Sequence, residues 1–305
     1  MMSVKRILII RLGALGDFIQ SFYPFAAIRQ YYPNAEITLL TSAPFVDLAK
    51  RSPWFDRVIV DDKPSWFNIA GLIRLVKKLR GYDYIFDLQT SRRSTRYFRF
   101  TGQRQGSAIA KTASHRHDNE ERNRLHTFDR QKDQLSKVGI TDYPELDLSW
   151  FLSEMIDFSM DRPYVVLVPG CSARRMEKRW PIQYYGEIAN ICLEKGLVPI
   201  IAGGKEEKEI SRQILQLCPK AMNLIGKTSL FQLGHLMKNA QFSLGNDTGP
   251  MHIAALVGGC SVVLFSSSSN PALTAPRGKH VKILYEADLR NLSVKKVAQE
   301  LNWVH

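Results

Sequence analysis

"RILIIRLGALGD" (residues 6–17) decides how this 305-residue chain is read. An isoleucine-rich run bounded by charge is the signature of a short strand buried on both faces, as in a parallel sheet. Two glycines three apart, Gly13 and Gly16, then open a loop, and Asp17 closes it where a helix begins. Strand, glycine-bearing loop and helix together start a doubly wound α/β sheet, in which ligands bind beyond the carboxyl ends of the strands.

Working outward, a helix is predicted over 18–31, ended by "YYPN", and strands over 35–41, 57–62 and 82–89. "PFVDLAKRS" (44–52) and the amphipathic "IAGLIRLVKKLRG" (69–81) are the intervening helices. The stretch 103–127 has little periodicity and many charges, so it reads as an exposed loop. A polar, proline-bearing segment, "FSMDRP" (158–163), marks a boundary, and the pattern restarts at "YVVLVPG" (164–170). Helices follow over 181–196, 205–218 and 229–240, with strands at 197–204, 221–226, 241–247 and 260–266. The expectation is two similar α/β domains, 1–158 and 159–305, facing each other across a cleft. The last helix is a candidate to pack back on the first domain.

Composition narrows the class. Hydrophobic residues make up 45% and charged residues 23%, an ordinary globular balance. The apolar run before Arg11 is too short for a signal peptide, and no stretch approaches the ~18 uninterrupted apolar residues of a spanning helix. The four cysteines, Cys171, Cys192, Cys218 and Cys260, are scattered without metal-type spacing and read as reduced thiols of a cytoplasmic protein. A net charge of +13 fits nucleic acid, an anionic membrane face or a phosphorylated substrate. Dense cationic spots lie at 92–100, 115–124 and 174–180. Basic residues interleave with aromatics only in "RYFRF" and no nucleic-acid module is recognisable, so no nucleic-acid partner is expected. "HRH" (115–117) with Asp118 sits in a charged loop without a second ligand group, which makes it a solvated loop and leaves no metal site. No GxSxG, Walker A or HExxH pattern is present.

The loops after the strands carry the chemistry. In "GNDTGPMHIAALVGG" (245–259), Asn246 or Asp247 can cap a helix, and Gly249 lets backbone approach a bound group. The N–H groups and positive dipole end there suit a phosphate, and His252 stands one turn in. A well-capped helix is the plainer explanation, but it leaves the second glycine and the histidine without a role. "RLGALGD" (11–17) lacks the third glycine of a dinucleotide fingerprint. Asp17 either complements a helix dipole or serves as a general base. "PGCSARRMEKRWP" (169–181) concentrates cations, Lys178 among them, where a diphosphate leaving group could be neutralised. "AGGKEE" (202–207) places Glu206 where it either serves the first turn of a helix or takes ribose hydroxyls.

Taken together and in this order, "ILIIRLGALGD", "DLQTSRRS" (87–94), "PGCSARRMEKRWP" and "GNDTGPMHIAALVGG" resemble glycosyltransferase family 9, the lipopolysaccharide heptosyltransferases, over nearly the whole chain. The resemblance implies a GT-B fold of two Rossmann-like domains, acceptor on the N-terminal side and nucleotide sugar on the C-terminal side. It implies an inverting transfer of heptose or a related sugar, from a donor such as ADP-heptose to an acceptor of the lipopolysaccharide-core type, without metal or other cofactor. Asp17 then matches the family's general base and Lys178 the lysine that meets the donor phosphates. Asp247, Thr248, Gly249 and His252 match the donor loop; Gly13 and Gly16 are grouped with the donor-binding residues, and Glu206 falls near the donor ribose. Arg92 and Arg93 lie where basic residues would meet an acidic acceptor. The implied partners are a nucleotide sugar, an anionic glycolipid and the inner leaflet of the inner membrane, with the protein cytoplasmic or peripheral there. Where the family has Gly-Pro-Thr after "VVLF", this chain has "SSSSNPALTAPRG" (266–278). That departure keeps two alternatives open: a family-9-like transferase with another sugar nucleotide or acceptor, or a sugar-nucleotide-binding protein without transfer activity.

Overall fold

The computed structural model describes residues 4–65, 67–156, 162–171, 175–301 and 303. Packing divides the chain into two units, Met1–Asp147 and Leu148–His305. In unit 1 the strands are β1 (Arg6–Ile10), β2 (Glu36–Thr41), β3 (Arg57–Val60), β4 (Tyr84–Asp87), β5 (Gly106–Ala108) and β6 (His115–Arg116). They form one sheet in the order β3-β2-β1-β4-β5-β6, every pair parallel. Its helices are α1 (Leu15–Ile19), α2 (Phe22–Tyr31), α3 (Val46–Arg51), α4 (Ile69–Lys78), α5 (Arg92–Phe100) and α6 (Thr127–Ser136).

Unit 2 repeats the plan. Its strands are β7 (Tyr164–Val168), β8 (Val198–Ile201), β9 (Met222–Asn223), β10 (Ser243–Asn246), β11 (Ser261–Phe265) and β12 (Val281–Tyr285). They run β12-β11-β10-β7-β8-β9, again all parallel. The helices are α7 (Ile182–Glu194), α8 (Lys208–Leu217), α9 (Leu230–Asn239), α10 (Gly249–Leu256), α11 (Pro271–Thr274) and α12 (Val294–Glu300). Counted from each unit's own first strand, both sheets have the order 3-2-1-4-5-6 of the doubly wound nucleotide-binding fold. The central strands explain why: Ile7–Ile10 and Val165–Leu167 are fully buried, so both faces of each strand must be covered by helices.

Two stretches depart from the sequence reading. The helix expected over 18–31 is two, because the Ser21 hydroxyl turns back onto the Asp17 carbonyl, 2.9 Å away, and breaks the run between α1 and α2. The stretch 103–127, expected as an exposed loop, contributes β5 and β6 to the sheet edge. Within it His117 is buried and shares a 2.7 Å hydrogen bond with Asp133 of α6, so "HRH" is not simply a solvated loop. The expected boundary at 158/159 lies outside the described residues. Packing places the division at Asp147/Leu148, and Trp150 and Phe151 already pack edge-on and tilted against Phe231 of α9. Helix α12 packs on α7, with Val297 and Leu301 in the core of unit 2.

Candidate functional site

In a sheet of this order the chain leaves the first and fourth strands in opposite directions, and a crevice opens at their carboxyl ends. In unit 1 these strands are β1 and β4. Arg11, the residue after β1, is 4% exposed and laces the two exits together. One guanidinium nitrogen donates to the Leu88 carbonyl at 2.6 Å and another to the Asp17 carbonyl at 2.6 Å. The latter nitrogen also lies 3.6 Å from the Asp17 carboxylate. Leu12 N–H donates to Gln89 Oε1 at 2.8 Å, closing a second tie between the loops. Asp17 thus stands in the first turn of α1, where the helix dipole favours an acid, with its carboxylate 41% exposed. Burial lowers the pKa of Arg11, and the charge of Asp17 opposes that loss.

Beneath this loop Asp87, the last residue of β4, is buried and accepts the N–H groups of Gln89 and Thr90 at 3.1 and 3.0 Å. Burial pushes its carboxyl up to about 6, against those hydrogen bonds and the charge of Arg11. Arg92 and Arg93 occupy the exposed first turn of α5, whose start is capped reciprocally by Ser91 and Ser94. Arg93 lies 3.7 Å from Asp61, a buried carboxylate that also takes the Tyr97 hydroxyl at 2.9 Å. The sequence reading passed over Arg122. Its Nη2 is buried without a hydrogen-bond partner, and burial followed by the charge of Arg130 pulls its pKa down. A guanidinium with a spare buried donor beside a second arginine suits an anion.

In unit 2 the reversal lies between β7 and β10. Asn246 ends β10 fully buried and uses both ends of its amide. Nδ2 donates to the carbonyls of Pro169 and Gly170 at 2.8 and 3.4 Å. Oδ1 accepts the Trp180 N–H at 3.0 Å and the Tyr185 hydroxyl at 3.1 Å. The basic loop after β7 is thereby pinned against the start of α10. This brings Lys178 Nζ to 2.5 Å from Asp247 Oδ2, with both side chains largely buried. Thr248 is the N-cap residue of α10 and makes no side-chain cap bond, and a proline follows in the first turn. The leading N–H groups of α10 are therefore not taken by a side-chain cap, and with Lys178 they form a place for negative charge. Arg175 reaches across to the Ser268 carbonyl at 3.1 Å, so the serine-rich turn borders the same loop.

An acid at the neighbouring strand end is Glu207. It is buried, accepts the Gly204 N–H at 2.8 Å, and has its pKa raised chiefly by burial. A Cβ on Gly170 would lie 1.4 Å from its Oε1, and one on Gly203 2.0 Å from its Oε2. Those two glycines are needed because a carboxylate fills the space their side chains would take.

A family model described as glycosyltransferase family 9 (heptosyltransferase) matches residues 72–304. The chain belongs to glycosyltransferase family 9. Among relatives, the lipopolysaccharide core heptosyltransferase OpsX of Haemophilus influenzae is 28% identical over 324 residues, covering 98% of this chain and 90% of that protein. The lipooligosaccharide heptosyltransferase 2 of Haemophilus ducreyi is 30% identical over 166 residues, 47% of either chain. Among solved structures, a family 9 glycosyl transferase from Veillonella parvula superposes with a TM-score of 0.81 at 21% identity, covering 98% of this chain and 97% of the other. The E. coli heptosyltransferase WaaC with ADP superposes with a TM-score of 0.80 at 18% identity, covering 97% and 98%. The fold is GT-B, built from two Rossmann-like domains.

Within this family 9 chain, the structure gathers Lys178, Asp247, Thr248 and Gly249 at one strand-order reversal, with His252 buried one turn into α10. Asp17, Arg92 and Arg93 lie beyond the strand ends of unit 1. One assignment changes. Neither Asn246 nor Asp247 caps α10, because the first spans the two loops and the second holds Lys178. Glu206 lies exposed after β8, and its neighbour Glu207 is fixed between the loops after β7 and β8. Gly13 and Gly16, grouped with the donor residues, belong to unit 1. Gly13 has φ +120° and would set a Cβ 2.5 Å from the Phe45 ring, and Gly16 is buried in α1. Residues 172–174 of the basic run lie outside the described residues. Arg11 and Glu207 were missed, since a lone Arg or Glu carries no motif, and Asn246 was named only as a cap. Their signal is burial, which only the fold supplies.

Proposed function

We propose that this chain is an inverting glycosyltransferase that carries heptose, from ADP-heptose, to an acceptor of the lipopolysaccharide-core type. The observation that carries the reading is the Lys178–Asp247 pair at the uncapped start of α10. Lys178 and the first-turn N–H groups take up the negative charge of the departing diphosphate, without a metal ion. Asp247 keeps the ammonium aimed at that place. In unit 1, Asp17 removes the proton of the acceptor hydroxyl as its oxygen attacks the anomeric carbon. Arg11 holds the Asp17 backbone and carboxylate in position for this. Arg92, Arg93 and the Arg122–Arg130 pair attract the acidic groups of the acceptor. The names of the relatives supply heptose and the lipopolysaccharide core to this reading. The protein then works at the inner leaflet of the inner membrane, from the cytoplasmic side.

Calorimetric binding across a panel of nucleoside diphosphates and nucleotide sugars tests the donor assignment. Selective binding of ADP and ADP-heptose is the expected result, and turnover unaffected by EDTA is expected with it. A stronger response to a UDP or GDP sugar would overturn the donor while leaving the site in place. That second reading draws on one observation. The Ser266–Ser268 turn, closed by a 2.7 Å bond between the two hydroxyls, stands against Arg175 where the family has Gly-Pro-Thr.

A further inference from the structure

The sequence "WFNIAGLIRLVKK" (66–78) covers an amphipathic helix whose apolar side is wider than the core it meets. Helix α4 buries Gly71 and Leu75, and Leu79 just past its end is buried too. At about 100° per residue these positions fill one flank of the helix. Ile69 and Ile73, one turn apart on the far flank, stay 69% and 51% exposed, and Phe67 ahead of them is 96% exposed. Leu72 and Val76 join the two flanks half-buried. Among the described residues, Phe67 just ahead of α4 and Ile69 and Ile73 on it stand in water without a packing partner that covers them. Singly exposed hydrophobics are ordinary, but a contiguous ridge marks an interaction surface.

The surroundings of the ridge state the chemistry of the partner. Arg74, Lys77 and Lys78 are exposed on α4, and Arg80 follows it. Lys77, Lys78 and Arg80 also line a cavity of about 550 Å³ beside the open edge of β3, together with Arg6 and Arg57. Asp62 is the one acid on its wall. Lys78 reaches Asp62 at 3.5 Å, and Arg57 pairs with Glu36 at 3.2 Å, which leaves the cavity cationic on balance. A protein partner would need both an apolar groove and an acidic patch in this geometry. A bilayer with anionic headgroups supplies the two at once: acyl chains for the ridge and phosphates for the lysines. A ridge of Phe and Ile bordered by Lys and Arg is also how helices lie in the interfacial plane of a membrane. Among the described residues no helix is long and apolar enough to cross one.

We infer that α4 and the residues leading into it are the membrane-docking element of this protein, inserting Phe67, Ile69 and Ile73 among lipids while Lys77, Lys78 and Arg80 hold anionic headgroups. The inference deepens the proposed function by naming the surface that meets a lipid-borne acceptor. Phe67 and Ile69 follow the exit of β3, so the ridge begins at the end of the unit 1 sheet that also carries Asp17 and Arg92.

The test is vesicle co-sedimentation of the full-length protein, which needs neither donor nor acceptor and therefore fails or succeeds separately from the transferase reading. Binding is expected to mixed phosphatidylethanolamine–phosphatidylglycerol vesicles and not to pure phosphatidylcholine, and to weaken with added salt. Phe67→Ser with Ile69→Ser, and separately Lys77→Glu with Lys78→Glu, should each reduce vesicle affinity by about tenfold or more. These side chains are exposed, so an unchanged melting temperature and unchanged ADP binding are expected for both variants. Equal binding of variants and wild type would overturn the assignment, as would equal affinity for neutral vesicles. A vesicle-inert protein that dimerises through this face, detected by loss of the dimer in the Phe67→Ser variant, would overturn it in favour of a second copy of the chain.

Discussion

The two strand-order reversals are built on one topology and held together in opposite ways. Each sheet ends its fourth strand in a fully buried polar residue, Asp87 in unit 1 and Asn246 in unit 2. In unit 2 the neutral amide spans both loops itself, with two donors and one oxygen serving four partners. In unit 1 the carboxylate serves only its own loop, and the spanning is done by a buried cation, Arg11. What each reversal presents is also opposite: a half-exposed acid, Asp17, in one, and a lysine with its acid, Lys178 and Asp247, in the other. The shared topology explains where the loops lie. The chemistry follows from which charge is buried and which is shown.

The sharpest way to break this contrast is Asp17→Asn. If Asp17 is the base, turnover should fall by roughly a thousandfold, within the usual span for lost general-base catalysis. ADP affinity, measured by calorimetry, should stay where it was, because the donor is assigned to unit 2. Loss of ADP binding with turnover retained would reverse the division of labour. Next in size is Asn246→Leu, which strands the Trp180 backbone N–H and two carbonyls in the interior and leaves the Tyr185 hydroxyl only the Val168 carbonyl, 3.4 Å away. The expected loss is about 3 kcal/mol in urea unfolding, since each buried group left unpaired costs about 1–3 kcal/mol. A loss below about 1 kcal/mol would mean that the loops of unit 2 hold their shape without the amide. Smaller again is Lys178→Ala, for which a lost charge-assisted hydrogen bond of about 2 kcal/mol predicts roughly thirtyfold weaker ADP binding. Unchanged ADP affinity would leave α10 alone as the phosphate site.

The fold was legible because its strands are apolar runs that cannot be half-exposed. β1 and β7 announced themselves, and the glycine-bearing exits after them pointed to the strand ends that matter. β5 and β6 were not legible, since strands of three and two residues at a sheet edge carry too few side chains to show a period. Of the candidate site, Asp17, Lys178 and Asp247 were named from the charged stretches after the strands. Arg92 and Arg93 were named through the family resemblance alone, and their place in the first turn of α5, where the helix dipole opposes two cations, came from the fold. What sequence could not give were the buried partners that aim these groups. Arg11 and Asn246 act across 77 residues of chain, and Glu207 was eclipsed by an adjacent and more exposed Glu206. Such ties exist only once the reversal has brought two loops together.

The smallest effect tests the contrast at its centre, by giving unit 1 the side chain that unit 2 uses. Asp87→Asn keeps Oδ1, which takes both backbone N–H groups, and replaces Oδ2, which has no hydrogen-bond partner. The carboxyl is raised from its ordinary 3.8 to about 6 by burial, so the folded chain binds this proton more tightly than the unfolded chain does. The sign then follows from linkage. The stabilising contribution of the neutral acid is complete below pH about 4 and is lost as the pH rises through about 6, beyond which the buried charge is a constant cost. The variant carries no such cost. Its melting temperature relative to wild type should therefore rise between pH 4 and pH 7, by on the order of a few degrees for a chain of this size. A difference that stays flat would mean that the charge of Arg11 keeps Asp87 ionised throughout. The core of unit 1 would then rest on a permanent buried ion pair where unit 2 rests on an amide, and the opposition between the two reversals would be complete.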